Sequence, residues 1–266
     1  MNAYSIVAVV AVAVIATAAC VYFVENPAEE KEPERIGIIG AMDDEVSALK
    51  DAMYLERKKT IAGMEFFVGT LGGCHVAIVQ SGMGKVNAGT CAQLLISEFN
   101  ARAVINTGVA GSLDNKLDIE DFVVSVDAVQ HDFDVSPIGF VKGEIPYTGR
   151  YAFNADAGLR EKAVDAISKT APDVKVHEGR VCSGDQFISS SDQKDAITAS
   201  FGGLCCEMEG AAIAQSCYLN EVPFVIIRAI SDKADGSAHE DYDEFVKKAA
   251  KRSAAAVIYL LENENP

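Results

Sequence analysis

The chain has 266 residues, enough for one large α/β domain with a sizeable core, and 49% of them are apolar. Its formal net charge is −16, and no charged side chain falls in the first 24 residues, so the rest of the chain carries the whole acidic balance. That balance works against nucleic acid or any other polyanion held by charge attraction and favours a small neutral or cationic ligand. Seven cysteines (Cys20, Cys74, Cys91, Cys182, Cys205, Cys206 and Cys217) form no C-x-x-C pair, and the four histidines lie far apart. Zinc-ligand spacing is therefore missing, no metal or cofactor is expected, and the cysteines read as small buried hydrophobes.

In chain order, Ile6 to Val24 is an uncharged apolar run long enough to cross a bilayer as a helix. A cleaved signal would use the small residues at Ala16–Ala19 but lacks a positive n-region. A lipoprotein signal would use Cys20, but Thr17 is a poor third residue before it. An uncleaved anchor fits the apolar length best. Residues 1–24 are thus expected to be a signal or membrane anchor, the only part to meet a membrane. Residues 25–34, polar and punctuated by Pro27 and Pro33, form a linker, and 35–266 one folded domain. The acidic residues after the span favour an external folded domain.

Arg35-Ile-Gly-Ile-Ile-Gly40 reads as a buried first strand. Asp43 to Met53 is a helix with acids in its first turn. Glu65 to Thr70 and His75 to Gln80 read as a hairpin through Gly72-Gly73. Lys85 to Phe99 is a helix, Ala103 to Thr107 a buried strand and Phe122 to Val129 another. Asp156 to Lys169 is helical, Val174 to Cys182 strand-like and Leu204 to Met208 short and apolar. Gly210 to Leu219 is a helix, and Pro223 to Ile230 the last strand. A long apolar stripe from Tyr242 to Leu261 closes the chain as a helix. Alternating strands and helices predict an α/β three-layer sandwich with a central mixed sheet.

Ligands in such folds sit on the loops that follow strands, and five of these loops carry unusual residues. Gly40-Ala-Met-Asp-Asp-Glu45 puts three acids at a helix start, a pattern that the helix dipole alone explains well. Ser81-Gly-Met-Gly-Lys85 is a glycine turn before a helix, without P-loop spacing. Asn106-Thr-Gly-Val-Ala-Gly-Ser112 would let the backbone approach a sugar or base, though tight packing explains it nearly as well. Glu207-Met-Glu209 sets two carboxylates beside buried sequence, which is costly unless they bind something. Arg228-Ala-Ile-Ser-Asp232, at the mouth of a strongly apolar strand, reads equally as a functional pair or as a structural ion pair.

These segments, with Ile36-Gly-Ile-Ile-Gly-Ala-Met-x-x-Glu45 and Ser183-Gly-Asp-x-Phe187, resemble in order the motifs of bacterial 5′-methylthioadenosine/S-adenosylhomocysteine nucleosidases, of the nucleoside phosphorylase superfamily. The resemblance implies a nucleoside phosphorylase-like fold and hydrolysis of the N-glycosidic bond, with adenine released. It also implies methionine salvage and a homodimer. By similarity, Asp232 is the general acid at N7 of adenine, and Glu45, helped by Arg228, orients and deprotonates the water. Glu209 accepts from the ribose hydroxyls beside the Met208 backbone. Phe187 stacks on adenine and the Ile188 backbone meets its edge. Met42, Met83 and Tyr242 line the thioalkyl groove, which Val135 of a second subunit completes. Glu207 and Ser231, inside two of the motifs, are placed at the substrate with them.

The sequence departs from the pattern in two places. Val109 stands where many relatives have serine, so one polar contact near the sugar is expected to be absent. Tyr242 replaces a common phenylalanine, which should modulate the 5′ group. Two other functions compete. A phosphorylase would use phosphate in place of water, but Glu45 would repel it and no arginine follows the first strand. A surface binding protein without catalysis has no reason to carry Glu45, Glu209 and Asp232 together. The preferred 5′ substituent, with 5′-deoxyadenosine and aminodeoxyfutalosine among the candidates, does not follow from the motifs.

Overall fold

The computed structural model describes residues 32–235 and 242–264; the apolar segment expected at 1–24 and most of the linker lie outside the described residues. From Glu34 the chain clusters as one unit. Its strands are β1 (Arg35–Gly40), β2 (Tyr54–Ile61), β3 (Met64–Leu71), β4 (Cys74–Gln80), β5 (Ala101–Ser112), β6 (Phe122–Gln130), β7 (Phe153–Asn154), β8 (Val176–Ser183), β9 (Cys205–Glu207) and β10 (Phe224–Asp232). Its helices are α1 (Asp43–Ala52), α2 (Lys85–Phe99), α3 (Ala157–Thr170), α4 (Ser191–Phe201), α5 (Gly210–Leu219) and α6 (Tyr242–Glu262).

β1 is buried along its whole length, as a strand covered on both faces must be, and pairs in parallel with β4 and β5. β3 and β4 form the expected hairpin, with Gly72 and Gly73 at φ 58° and 83°, a left-handed turn that suits glycine. β10 lies parallel to β5 and antiparallel to β6, while β8 and β9 run parallel to one another. The end of β5 then pairs antiparallel with β9. These pairings close a ring, β5-β10-β6-β8-β9, from which β1, β4, β3 and β2 extend as an open wing. The sheet is mixed, as expected.

Two apolar layers sandwich it. On one face Val46 and Leu49 of α1, Ile167 of α3 and Val257 of α6 pack with Ile36, Ile38 and Val225. On the other, Leu95 and Phe99 of α2 and Ile213 of α5 pack with Ile39, Val79 and Val104. The six described cysteines are free and buried, and burial pushes the Cys182 and Cys217 thiols up to about 12. Among the described residues no helix is long and apolar enough to cross a membrane.

Candidate active site

The loops after β1, β4 and β8, the short strand β9 and the last residues of β5 and β10 meet around one pocket. Its wall includes Met42, Glu45, Met83, Val109, Phe187, Ile188, Glu207, Met208, Glu209, Arg228, Ser231 and Asp232. Six separate segments of sequence are thereby brought together.

Glu45 is the third residue of α1 and 2% exposed. From that position a glutamate can fold back on the helix start. Its Oε2 accepts from the backbone N–H of Ala41 (2.6 Å) and Met42 (3.0 Å), and Oε1 accepts from Val109 N–H (3.1 Å). The carboxylate is therefore aimed by three backbone donors from two elements. Gly108 makes this possible. A Cβ there would collide with Glu45 Oε1 and lie 2.5 Å from Arg228 Nη1.

Arg228, on β10, is 1% exposed and lies among three buried carboxylates. Its Nη2 donates to Asn106 Oδ1 (2.6 Å) and Glu207 Oε2, with Glu209 Oε2 at 3.5 Å. Its Nη1 donates to the Val109 carbonyl (3.3 Å) and stands 4.0 Å from Glu45 Oε1. Burial raises the Glu45 carboxyl above the ordinary value, against the pull of Arg228. Burial and the neighbouring Glu207 charge push Glu209 up to about 7, again against Arg228.

Glu209 precedes α5 and accepts from Gly84 N–H at 2.9 Å, which joins the glycine turn after β4 to the pocket. Glu207 touches the pocket wall but spends both oxygens on protein donors: Ser183 Oγ, the N–H groups of Glu209 and Gly210, and Arg228. Asp232, 4% exposed, accepts from Ala234 N–H at 2.8 Å and from Ser231 Oγ at 2.9 Å. Met83 and Phe187 stand 62% and 60% exposed at the rim, so an apolar ligand there would cover both.

Val109 contributes its backbone on both sides, donating to Glu45 and accepting from Arg228, and those contacts do not depend on the side chain. Val135 does not line the pocket of its own chain; it precedes a short 3-10 turn, Ser136–Ile138. Tyr242 opens α6, and its side chain lies outside the described residues. Sequence reasoning gave no role to Asn106, which accepts from Arg228 and donates to the Ile39 carbonyl at 3.0 Å. It also gave none to Ser183, whose hydroxyl links Glu207 to Ala211 N–H. Both stand inside noticed motifs, a polar residue at the edge of an apolar run, and that position was the only signal in the sequence.

Residues 35–262 match the family model described as the phosphorylase superfamily. A 5′-methylthioadenosine/S-adenosylhomocysteine nucleosidase of Shewanella baltica strain OS185 is 44% identical over 233 residues, covering 87% of this chain and 98% of that protein. The crystal structure of the Neisseria meningitidis nucleosidase of the same name, in complex with methylthio-immucillin-A, superposes with a TM-score of 0.82. It is 38% identical, with 86% of this chain and 99% of that one covered. The futalosine hydrolase of Helicobacter pylori strain 26695 superposes with a TM-score of 0.80 at 30% identity, covering 86% of this chain and 97% of the other.

Proposed function

This chain belongs to the phosphorylase superfamily and, within it, to the 5′-methylthioadenosine/S-adenosylhomocysteine nucleosidases, and from that premise we propose how its site divides the work. The protein is a hydrolase of adenosine N-glycosidic bonds. That reaction needs a proton for a poor purine leaving group, a water at the anomeric carbon and an environment that favours positive charge on the sugar.

The observation that carries the assignment is the 4.0 Å between Glu45 Oε1 and Arg228 Nη1. It is too long for a direct hydrogen bond, yet one water at roughly 2.8–3.0 Å from each could touch both. Glu45, aimed by backbone donors, orients that water and takes its proton. Asp232, with Ser231 beside it, protonates N7 of the departing adenine. Glu209 accepts from the ribose hydroxyls near the Met208 backbone. The carboxylates around the sugar favour an oxocarbenium-like transition state. Phe187 stacks on the base, the Ile188 backbone meets its edge, and Met42, Met83 and Tyr242 bound the thioalkyl group with soft, polarizable surface.

Likeness to nucleosidases named for both methylthioadenosine and S-adenosylhomocysteine, which share adenosine and differ at the 5′ group, supports a site that reads adenine and ribose strictly and the 5′ group loosely. Cleavage of methylthioadenosine would place the chain in methionine salvage. Val135, away from its own pocket, suits a homodimer in which it closes the partner's groove. Exposed Ile138 and Val141, 73% and 62%, support a buried face in that segment. The N-terminal run fits an anchor that holds the enzyme at a membrane, facing outward. The test is a panel of 5′-substituted adenosines given to the full chain without phosphate. Free adenine and free sugar are expected from methylthioadenosine and S-adenosylhomocysteine; a requirement for phosphate would overturn the reading.

A further inference from the structure

Arg228 is shared unevenly. Its Nη2 meets Asn106 at 2.6 Å and Glu207 in a short ion pair, whereas its Nη1 has only the Val109 carbonyl at 3.3 Å and Glu45 at 4.0 Å. The guanidinium leans away from Glu45. What holds it there is itself anchored, because Glu207 lies opposite Ser183 in the β8–β9 register. Its Oε1 takes the Ser183 hydroxyl and its Oε2 takes Glu209 N–H at 3.1 Å and Gly210 N–H at 2.8 Å. Ser183 Oγ is fixed in turn by Ala211 N–H at 2.7 Å. These donors come from β8 and the head of α5, so Glu207 cannot follow Arg228 if Arg228 moves.

We propose that Glu207 is a positioning residue that sets the basicity of Glu45 by holding Arg228 off it. Were the guanidinium to close the gap, a direct ion pair would stabilise the Glu45 carboxylate and make it a poorer acceptor of a proton. The titratable groups facing Arg228 are the carboxyls of Glu45 from α1, Glu207 from β9 and Glu209 ahead of α5, with the neutral Cys205 thiol from β9. Those facing Glu45 are Arg228 and, more distantly, Glu209. Glu207 and Glu45 meet at Arg228, which the first grips by Nη2 and the second faces at Nη1, so the guanidinium links them. Neutralising Glu207 leaves Glu45 and Glu209 to share the cation.

The inference rests on Glu45 being the base, and its test separates the two claims. Carbon-13 side-chain NMR of glutamate-labelled full chain follows the Glu45 carboxyl, assigned by its loss in Glu45→Gln. Glu207→Gln should lower the Glu45 titration midpoint by about one pH unit. With methylthioadenosine it should lower kcat about ten-fold and move the acid limb of the kcat profile down, with KM changed less than about two-fold. Ser183→Ala changes no charge and should shift the midpoint the same way by less; it decides the matter if Glu207→Gln does not fold. Glu207→Asp, which keeps the charge, should restore part of the shift. An unchanged or raised Glu45 midpoint in the folded variants overturns the proposal. If the midpoint falls but the wild-type chain releases no adenine, the positioning stands and the assignment of Glu45 as base fails.

Discussion

Glu45 stands behind Asp43 and Asp44 in the first turn of α1, and the three acids have different fates. Asp43 is exposed and pairs with Lys50 at 2.5 Å, Asp44 faces solvent, and Glu45 turns inward to 2% exposure. The helix-dipole explanation holds for Glu45, whose carboxylate satisfies its own helix start, and the same carboxylate faces the pocket, as the proposed catalytic role requires. Glu209 makes a testable case of burial. Its carboxyl is raised from 4.5 to about 7, so the fold favours the protonated form. Its contribution to stability is then full below the unfolded value and lost as pH rises through the folded one. Between about pH 5 and pH 8 the wild-type Tm should fall more than that of Glu209→Gln, read by thermal denaturation at each pH. Equal slopes would show that Glu209 is not held protonated by its surroundings. Glu207 and Glu209 were legible because charge beside apolar sequence is unusual, whereas Glu45, Arg228 and Asp232 stood out only through the ordered set of motifs. Asn106 and Ser183 were not legible, because a buried amide or hydroxyl becomes informative only when its partner, distant in sequence, is known.

At the scale of elements, β5 departs most from expectation. Asn106-Thr-Gly-Val-Ala-Gly-Ser112 reads as a strand end and glycine turn, yet the strand continues to Ser112, because β10 pairs with it as far as Gly111 and β9 takes its last two residues. The glycines serve close approach within a strand, not a turn. Gly108→Ala should therefore destabilise by about 1–3 kcal/mol through overpacking and lower kcat by displacing Glu45 and Arg228. Chemical denaturation with steady-state kinetics checks both, and full activity would mean that the two side chains can yield. β2 escaped notice because Leu-Glu-Arg-Lys-Lys is an edge strand exposed over nearly its whole length, so no alternation marks it. α4 was missed because Ser189-Ser-Ser191 reads as loop, although Ser190 caps the helix by accepting from Gln193 N–H. The central strands were legible from their unbroken apolar runs.

For the whole molecule, the match to the family begins at residue 35, where the compact unit also begins within one residue. Residues 25–34 ahead of it are polar and include Pro27 and Pro33. The catalytic unit should then be indifferent to what lies upstream. Deleting residues 1–30 is expected to yield a protein with wild-type kcat and KM, and, on the anchor proposed above, one that does not sediment with membranes while the full chain does. Loss of activity on deletion would make the leader part of the fold. Residues 25–34 hold five glutamates and one lysine, so −12 of the net charge of −16 belongs to residues 35–266, a balance that suits a site built to accommodate positive charge on a sugar.

The central claim is that Asp232 supplies the proton on which adenine departs, and one substitution tests it most directly. Asp232→Asn keeps the shape of the side chain beside Ser231 and Ala234 but has no proton to deliver to N7. Turnover of methylthioadenosine in phosphate-free buffer, measured alongside binding of an adenine nucleoside, should show kcat lower by roughly 10²–10⁴ with binding retained. Near wild-type turnover would contradict the account, because another group would then be activating the leaving base.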